Sequence, residues 1–161
     1  MNNLHIFLGA TVADAAARPL HWVYDPKNLK KYIKGKKDIT FLKKNKSPFY
    51  SIKTGNVSGY NDVGQVMFKT LVSTKKKSDI LKNFKKNIIK NFGPGSAYWR
   101  NLKLRKKYKK IKWKGPINGP WIHQNILETI QNIKARKNTT GGTKVNESDG
   151  YCAALPYYLY N

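Results

Sequence analysis

An all-α fold follows from three features of this 161-residue chain. Apolar residues recur at helical spacing in segment after segment. Glycine and proline separate those segments, and no stretch alternates as a half-buried strand does. The first segment, Leu4 to Ala17, is small and apolar on nearly every side, with one carboxylate, Asp14, inside it. A helix apolar all round belongs inside a bundle. Its alanines favour helix formation and let neighbouring backbones come close. It should stop near Arg18, because a residue before proline avoids the α region. In such surroundings Asp14 needs a hydrogen-bond partner or a metal. A nearby backbone amide, a tyrosine or a tryptophan would serve as the partner.

The later elements follow in order. Asn28–Tyr32 begins a short basic helix that ends near Gly35. Residues 43–60 are rich in turn formers and aromatics, from Ser47-Pro48-Phe49-Tyr50 to Ser58-Gly59-Tyr60. That composition describes a structured loop rather than a linker. From Asn61, the residues Val63, Val66, Met67 and Leu71 recur at helical spacing, and Asp62 in the first turn suits the helix dipole. Ser78 and Asp79 open the next helix, with Ile80, Phe84 and Ile88 on one face, and Asn91-Phe92-Gly93-Pro94-Gly95 stops it. Arg100–Lys114 is the most basic block, with a thin stripe of Leu104, Tyr108 and Ile111. It is either an amphipathic helix against the body or an exposed basic arm. Beyond the loop Gly115–Trp121, a helix turns Ile122, Ile126, Ile130 and Ile133 inward. Thr139–Ser148 is a polar, glycine-containing loop, and Asp149-Gly150 opens a last apolar segment, Tyr151–Tyr160, that reads as a core helix.

The length is that of one domain, with enough apolar residue for a real core. The formal net charge is +24, a field that draws polyanions: nucleic acid, anionic membrane or nucleotide phosphates. Yet only four of the 32 basic residues are arginine, the residue suited to bidentate phosphate and base recognition. The 28 lysines are equally well read as solvated surface on a chain drifted toward lysine. Cys152 is alone, so no internal disulfide exists and a reducing, cytoplasmic setting is expected. No apolar run approaches a membrane span. A signal peptide is rejected, since Met1-Asn2-Asn3 carries no positive side chain and Asp14 interrupts the apolar block.

The stretch Gly9-x-x-x-x-Asp14-Ala15-x-x-x-Pro19-Leu20-His21-Trp22-x-Tyr24-Asp25 resembles the opening of the ADP-ribosylglycohydrolase family. It is most similar to the branch that holds the J-type lens crystallins and selenoprotein J. Further matches follow in order: Pro48-Phe49-Tyr50 with Thr54-Gly55, Phe92-Gly93-Pro94 before Tyr98, Asn118-Gly119-Pro120-Trp121, and Asp149-Gly150. The resemblance therefore covers essentially the whole chain. It implies an orthogonal helical bundle of the ADP-ribosylglycohydrolase type, of which residues 1–161 form the N-terminal part.

The resemblance also implies a chemistry. Enzymes of the family hold paired magnesium ions, which want oxygen ligands and can orient a ribose and activate water. One ligand set comes from an early Thr/Ser-Asp-Asp-Thr stretch and the other from a much later Asp-x-Asp-Thr/Ser stretch. Here the early stretch reads Tyr60-Asn61-Asp62-Val63. Asp62 keeps a carboxylate and Asn61 offers a neutral oxygen, so these two are the implied magnesium ligands. Asp14, Tyr60 and Asp149 are the residues implied to support those ligands or line the cleft, and Asp149 also reads as a helix cap. The later Asp-x-Asp set has no counterpart before Asn161. The chain reads as a truncated bundle whose missing half is supplied elsewhere or replaced by self-association.

Other constellations carry less. His5, His21 and His123 show no metal-ligand spacing, and His21 reads as a packing or hydrogen-bonding residue. Cys152 lies in an apolar run, where a thiol is inert. Thr140-Gly141-Gly142-Thr143-Lys144 is similar to a phosphate loop but lacks the flanking glycine and strand of a Walker motif. Two functions stand side by side. One is a magnesium-dependent hydrolase of ADP-ribose conjugates, weakened or silenced by its degraded metal motif. The other is a non-catalytic protein, crystallin-like and structural or binding polyanions and nucleic acid through its lysines.

Overall fold

The computed structural model describes residues 4–142 and 145–160. The Met1-Asn2-Asn3 segment, Thr143 and Lys144 of the glycine-containing loop, and Asn161 lie outside the described residues. The fold is all-α, with seven α-helices among the described residues. Helix α1 spans Leu4–Ala17 and passes into a 3-10 turn over Arg18–Leu20, where Pro19 ends the regular hydrogen bonding. Helix α2 spans Pro26–Ile33; Asp25 caps it through the Lys27 amide, and Pro26 takes the first position, which needs no donor. Helix α3 spans Gly59–Ser73, α4 Ile80–Phe92, α5 Ala97–Lys110, α6 Gln124–Lys134 and α7 Asp149–Tyr160. A 3-10 turn over Lys77–Asp79 leads into α4.

The main core forms where α3, α4, α5 and α6 meet. Val63 and Val66 of α3 pack with Ile88 and Phe92 of α4, Tyr98 of α5, and Ile126 and Ile130 of α6, with Ile122 just ahead of α6. The basic block Arg100–Lys114 is mostly helix and lies against the body, but Ile111 is left exposed at its end. Helices α3 and α7 cross closely at Gly64. A Cβ there would sit 2.9 Å from the Cys152 carbonyl oxygen and 3.2 Å from the Phe7 ring.

One two-residue ladder went unforeseen. Tyr50–Ser51 (β1) pairs in parallel with Ile117–Asn118 (β2). Strands this short carry no alternation to read, and their partners lie far apart in sequence. The ladder fastens the aromatic loop to the segment before α6, and the Asn101 amide reinforces it by donating to the carbonyls of Asn118 and Gly119.

The expected burial of α1 and α7 is corrected. Helix α1 turns Phe7, Ala15 and Ala16 inward, while Ile6, Leu8 and Val12 are 45%, 54% and 58% exposed. In α7 only Asp149 and Pro156 are fully buried, and Tyr151 and Tyr158 stand in solvent. The reason is one-sided packing. Helix α1 rests on α3 and α7, so an all-round apolar helix has just one covered face. Neither α1 nor α7 carries a lysine, which sets this surface apart from the rest of the chain. No helix among the described residues is long and apolar enough to cross a membrane.

Candidate functional site

The polar residues of the first helix converge on the entry to α3. Arg18, at the end of α1, is 1% exposed, yet its guanidinium makes four hydrogen bonds. Nε donates to the Asn56 carbonyl at 2.8 Å and Nη1 to Asn45 Oδ1 at 2.8 Å. Nη2 donates to the carbonyls of Ile52 and Lys53 at 3.1 and 3.0 Å. One side chain thus folds the loop of residues 45–56 onto the end of α1. A turn earlier, Asp14 accepts from the Ser58 amide and the Ser58 hydroxyl, both at 2.6 Å. Ser58 is the N-cap residue of α3, so a carboxylate from another helix closes that helix start. Removing it should be measurable. Asp14→Ala is expected to lower stability by about 1.5–3 kcal/mol, the range for a hydrogen bond to a charged group. Urea unfolding with an unchanged slope would show it.

The two residues implied as magnesium ligands face different partners. The Tyr98 hydroxyl donates to Asp62 Oδ2. Burial pushes the Asp62 carboxyl up to about 6; the nearby Asp14 adds to the rise, while Tyr98 and Lys69 oppose it. The same burial, with Asp62 alongside, holds the Tyr98 phenol well above its ordinary range. Asn61 donates to Thr11 Oγ1 at 3.2 Å and accepts from Gln65 Nε2 at 3.0 Å, tying α3 to α1. Magnesium demands near-octahedral oxygen coordination. Here the implied ligands are one carboxylate bonded to a phenol and one amide engaged at both ends, and the carboxylate implied to support them, Asp14, accepts from Ser58. As placed, each of these groups already has a protein partner. No group of three or more His, Cys, Asp or Glu positioned for a metal occurs among the described residues.

Beside this network lies a box of aromatic rings. Trp22 sits at φ 63°, a conformation that is costly for a bulky side chain. The turn sets its indole against Phe49, Tyr50 and Trp121, each 5.5 Å away. His21 Nδ1 meets the Tyr50 hydroxyl at 2.8 Å. Burial, then the neighbouring His123, pull the His21 imidazole down to about 4. Burial also raises the Tyr50 phenol. On the other wall, the Tyr60 ring lies 4.0 Å from the His123 ring and tilted to it, and His123 Nδ1 bonds Asp149 Oδ1 at 2.6 Å in full burial. Gly59 permits this: a Cβ there would lie 3.0 Å from the Trp121 carbonyl oxygen and 3.2 Å from His123 Cε1. Arg105 closes the box, its guanidinium 3.5 Å over the Trp121 ring and donating to the Ile122 carbonyl.

The structure therefore sorts the implied site residues into two groups. Asp14, Asn61 and Asp62 gather between α1, α3 and α5, and Tyr60 and Asp149 gather around His123. The reading of Asp149 as a helix cap gives way to a buried histidine–aspartate pair, which leaves Asp149 Oδ2 without a partner among the described residues. Sequence reasoning missed Arg18, Tyr50 and His123. One signal was available: arginine is rare here, and two of the four, Arg18 and Arg105, are interior anchors. Partial burial raises the Cys152 thiol, consistent with an unreactive side chain. Asp149 Oδ2 apart, the acids and bases of the site bond to one another and to backbone, and these bonds cross-link the elements.

Comparison with known proteins finds two relatives, crystallin J1B and crystallin J1A of Tripedalia cystophora. Each is 30% identical over 149 residues. The match takes in 92% of this chain and 43% of either crystallin, so the chain spans less than half the length of these relatives. The similarity supports a relationship to the J crystallins. No family model matches the chain, and no solved structure matches it.

Proposed function

We propose that this chain is a non-catalytic, crystallin-like protein, descended from magnesium-dependent hydrolases that cleave glycosidic bonds of ADP-ribose. One observation carries the reading: Asp62, the carboxylate implied as a metal ligand, and Asp14, implied to support it, are both hydrogen-bonded into the fold. Asp14 closes the start of α3 through Ser58, and Asp62 receives the Tyr98 hydroxyl. The similarity to two crystallins agrees with a structural role.

The test pairs a binding readout with an activity readout. A ligand that binds only the folded state raises its stability by mass action, so magnesium, ADP-ribose, or both together should leave the melting temperature unchanged. Release of ADP-ribose from a mono-ADP-ribosylated peptide should not exceed the rate without protein. Magnesium-dependent release that disappears in Asp62→Ala would overturn the reading and restore Asp62 as a metal ligand.

A further inference from the structure

We infer that the lysine-lined basin between α2 and the chain segment after it is a binding site for single-stranded nucleic acid, held without regard to base sequence. The basin has a volume of about 940 Å³, inside the range of ligand clefts, roughly 300–1,000 Å³. Seven lysines line it: Lys31, Lys34, Lys36 and Lys37 from the end of α2 and the turn beyond, then Lys43, Lys44 and Lys46 from the returning chain. Among the described residues none of the seven is ion-paired with a carboxylate. The one acid in the lining, Asp38, is turned onto the chain, accepting from the Thr40 amide and hydroxyl at 2.7 and 2.6 Å. Seven cations facing one hollow repel each other, and phosphates would relieve that repulsion.

The aromatic residues decide which polyanion fits. Phe41 is 43% exposed on the basin wall and adopts φ 47°, a backbone conformation strained for a phenylalanine. Its amide donates to the Ala16 carbonyl at 3.0 Å, which pins the strained turn to the end of α1. An exposed aromatic held in this way, beside a row of cations, is the pairing that single-strand sites use: lysines follow the backbone and a ring stacks a base. Tyr32 faces the same basin and holds Lys46 Nζ 4.9 Å from its ring centroid. The cations are all lysine, so bidentate reading of bases is absent and contact is to phosphate.

Fluorescence anisotropy with a labelled eight-nucleotide oligothymidylate tests the site. If about four phosphates are engaged, the log–log salt slope should be about −3, a loss of roughly 50-fold between 50 and 200 mM salt. A protein this basic attracts nucleic acid everywhere, so the decisive comparison holds net charge constant. Lys34→Gln/Lys37→Gln/Lys44→Gln should weaken binding about tenfold or more. Lys103→Gln/Lys107→Gln/Lys110→Gln on α5 removes the same charge and should weaken it less than about threefold. Phe41→Ala should cost about fivefold or more against the oligonucleotide and leave binding of inorganic polyphosphate unchanged. Equal losses from the two triple variants would overturn the proposal in favour of diffuse attraction. An oligonucleotide affinity indifferent to Phe41→Ala would overturn it in favour of a bare polyphosphate. Tighter binding of duplex than of single strand would also overturn it.

Discussion

Arg18→Ala should lose about 3–5 kcal/mol of folding free energy, the largest effect expected from any one side chain. The guanidinium lies at 1% exposure and feeds four acceptors, three of them backbone carbonyls of one loop. Truncation leaves those acceptors without their donor, and each unmade bond costs a desolvation penalty of about 1–3 kcal/mol, less whatever water recovers. Against a total stability of about 5–15 kcal/mol, the variant would be marginal. Arg18→Lys should recover less than half of the loss. A compact ammonium cannot span the three directions that a planar fork serves at once. Urea unfolding followed by circular dichroism reads both variants. A loss under about 1 kcal/mol for Arg18→Ala would show that the loop of residues 45–56 is held from elsewhere, with the β1–β2 ladder the next candidate.

That anchor was invisible in the sequence because its partners lie 27 to 38 positions away. The same holds for Asp14 and Ser58, 44 apart, and for His123 and Asp149, 26 apart. Periodicity and caps, by contrast, are local. The stop at Phe92-Gly93-Pro94 and the start near Asp62 could be read from neighbours within a turn, so most helices fall within a few residues of expectation. Periodicity reports how apolar a face is, but not whether another element covers it. Helix α1 shows the difference: its all-round apolar character was legible and its exposure was not. Resemblance marked Asp14, Tyr60, Asn61, Asp62 and Asp149 as site positions. It could not tell that Asp14 would serve Ser58 or that Asp62 would serve Tyr98.

The pH dependence of stability should be nearly flat between pH 4 and 7 for this part of the molecule, because two half-buried groups titrate in opposition. Asp62 has an ordinary carboxyl range near 4 and is pushed up to about 6 when folded. Between those values the folded state holds a proton that the unfolded state has released. Its contribution is therefore full below pH 4 and lost as pH rises through 6. His21 runs the other way. Its imidazole, ordinarily near 6.5, is pulled down to about 4 in the fold, so the unfolded chain takes up the proton first. That contribution is full above pH 6.5 and lost as pH falls toward 4. At about 1.4 kcal/mol per pH unit of separation, and allowing for partial solvent access, each amounts to roughly 2–3 kcal/mol. Asp62→Asn keeps an acceptor for Tyr98 and removes one slope, so the variant should lose about 2–3 kcal/mol on acidification from pH 7 to 4. His21→Gln removes the other, so that variant should gain a similar amount over the same descent. Unfolding curves of both variants at each pH give the slopes directly. Slopes of the same sign would mean that Asp62 and His21 do not titrate as their burial requires, and the proton balance of the site would have to be assigned to other groups.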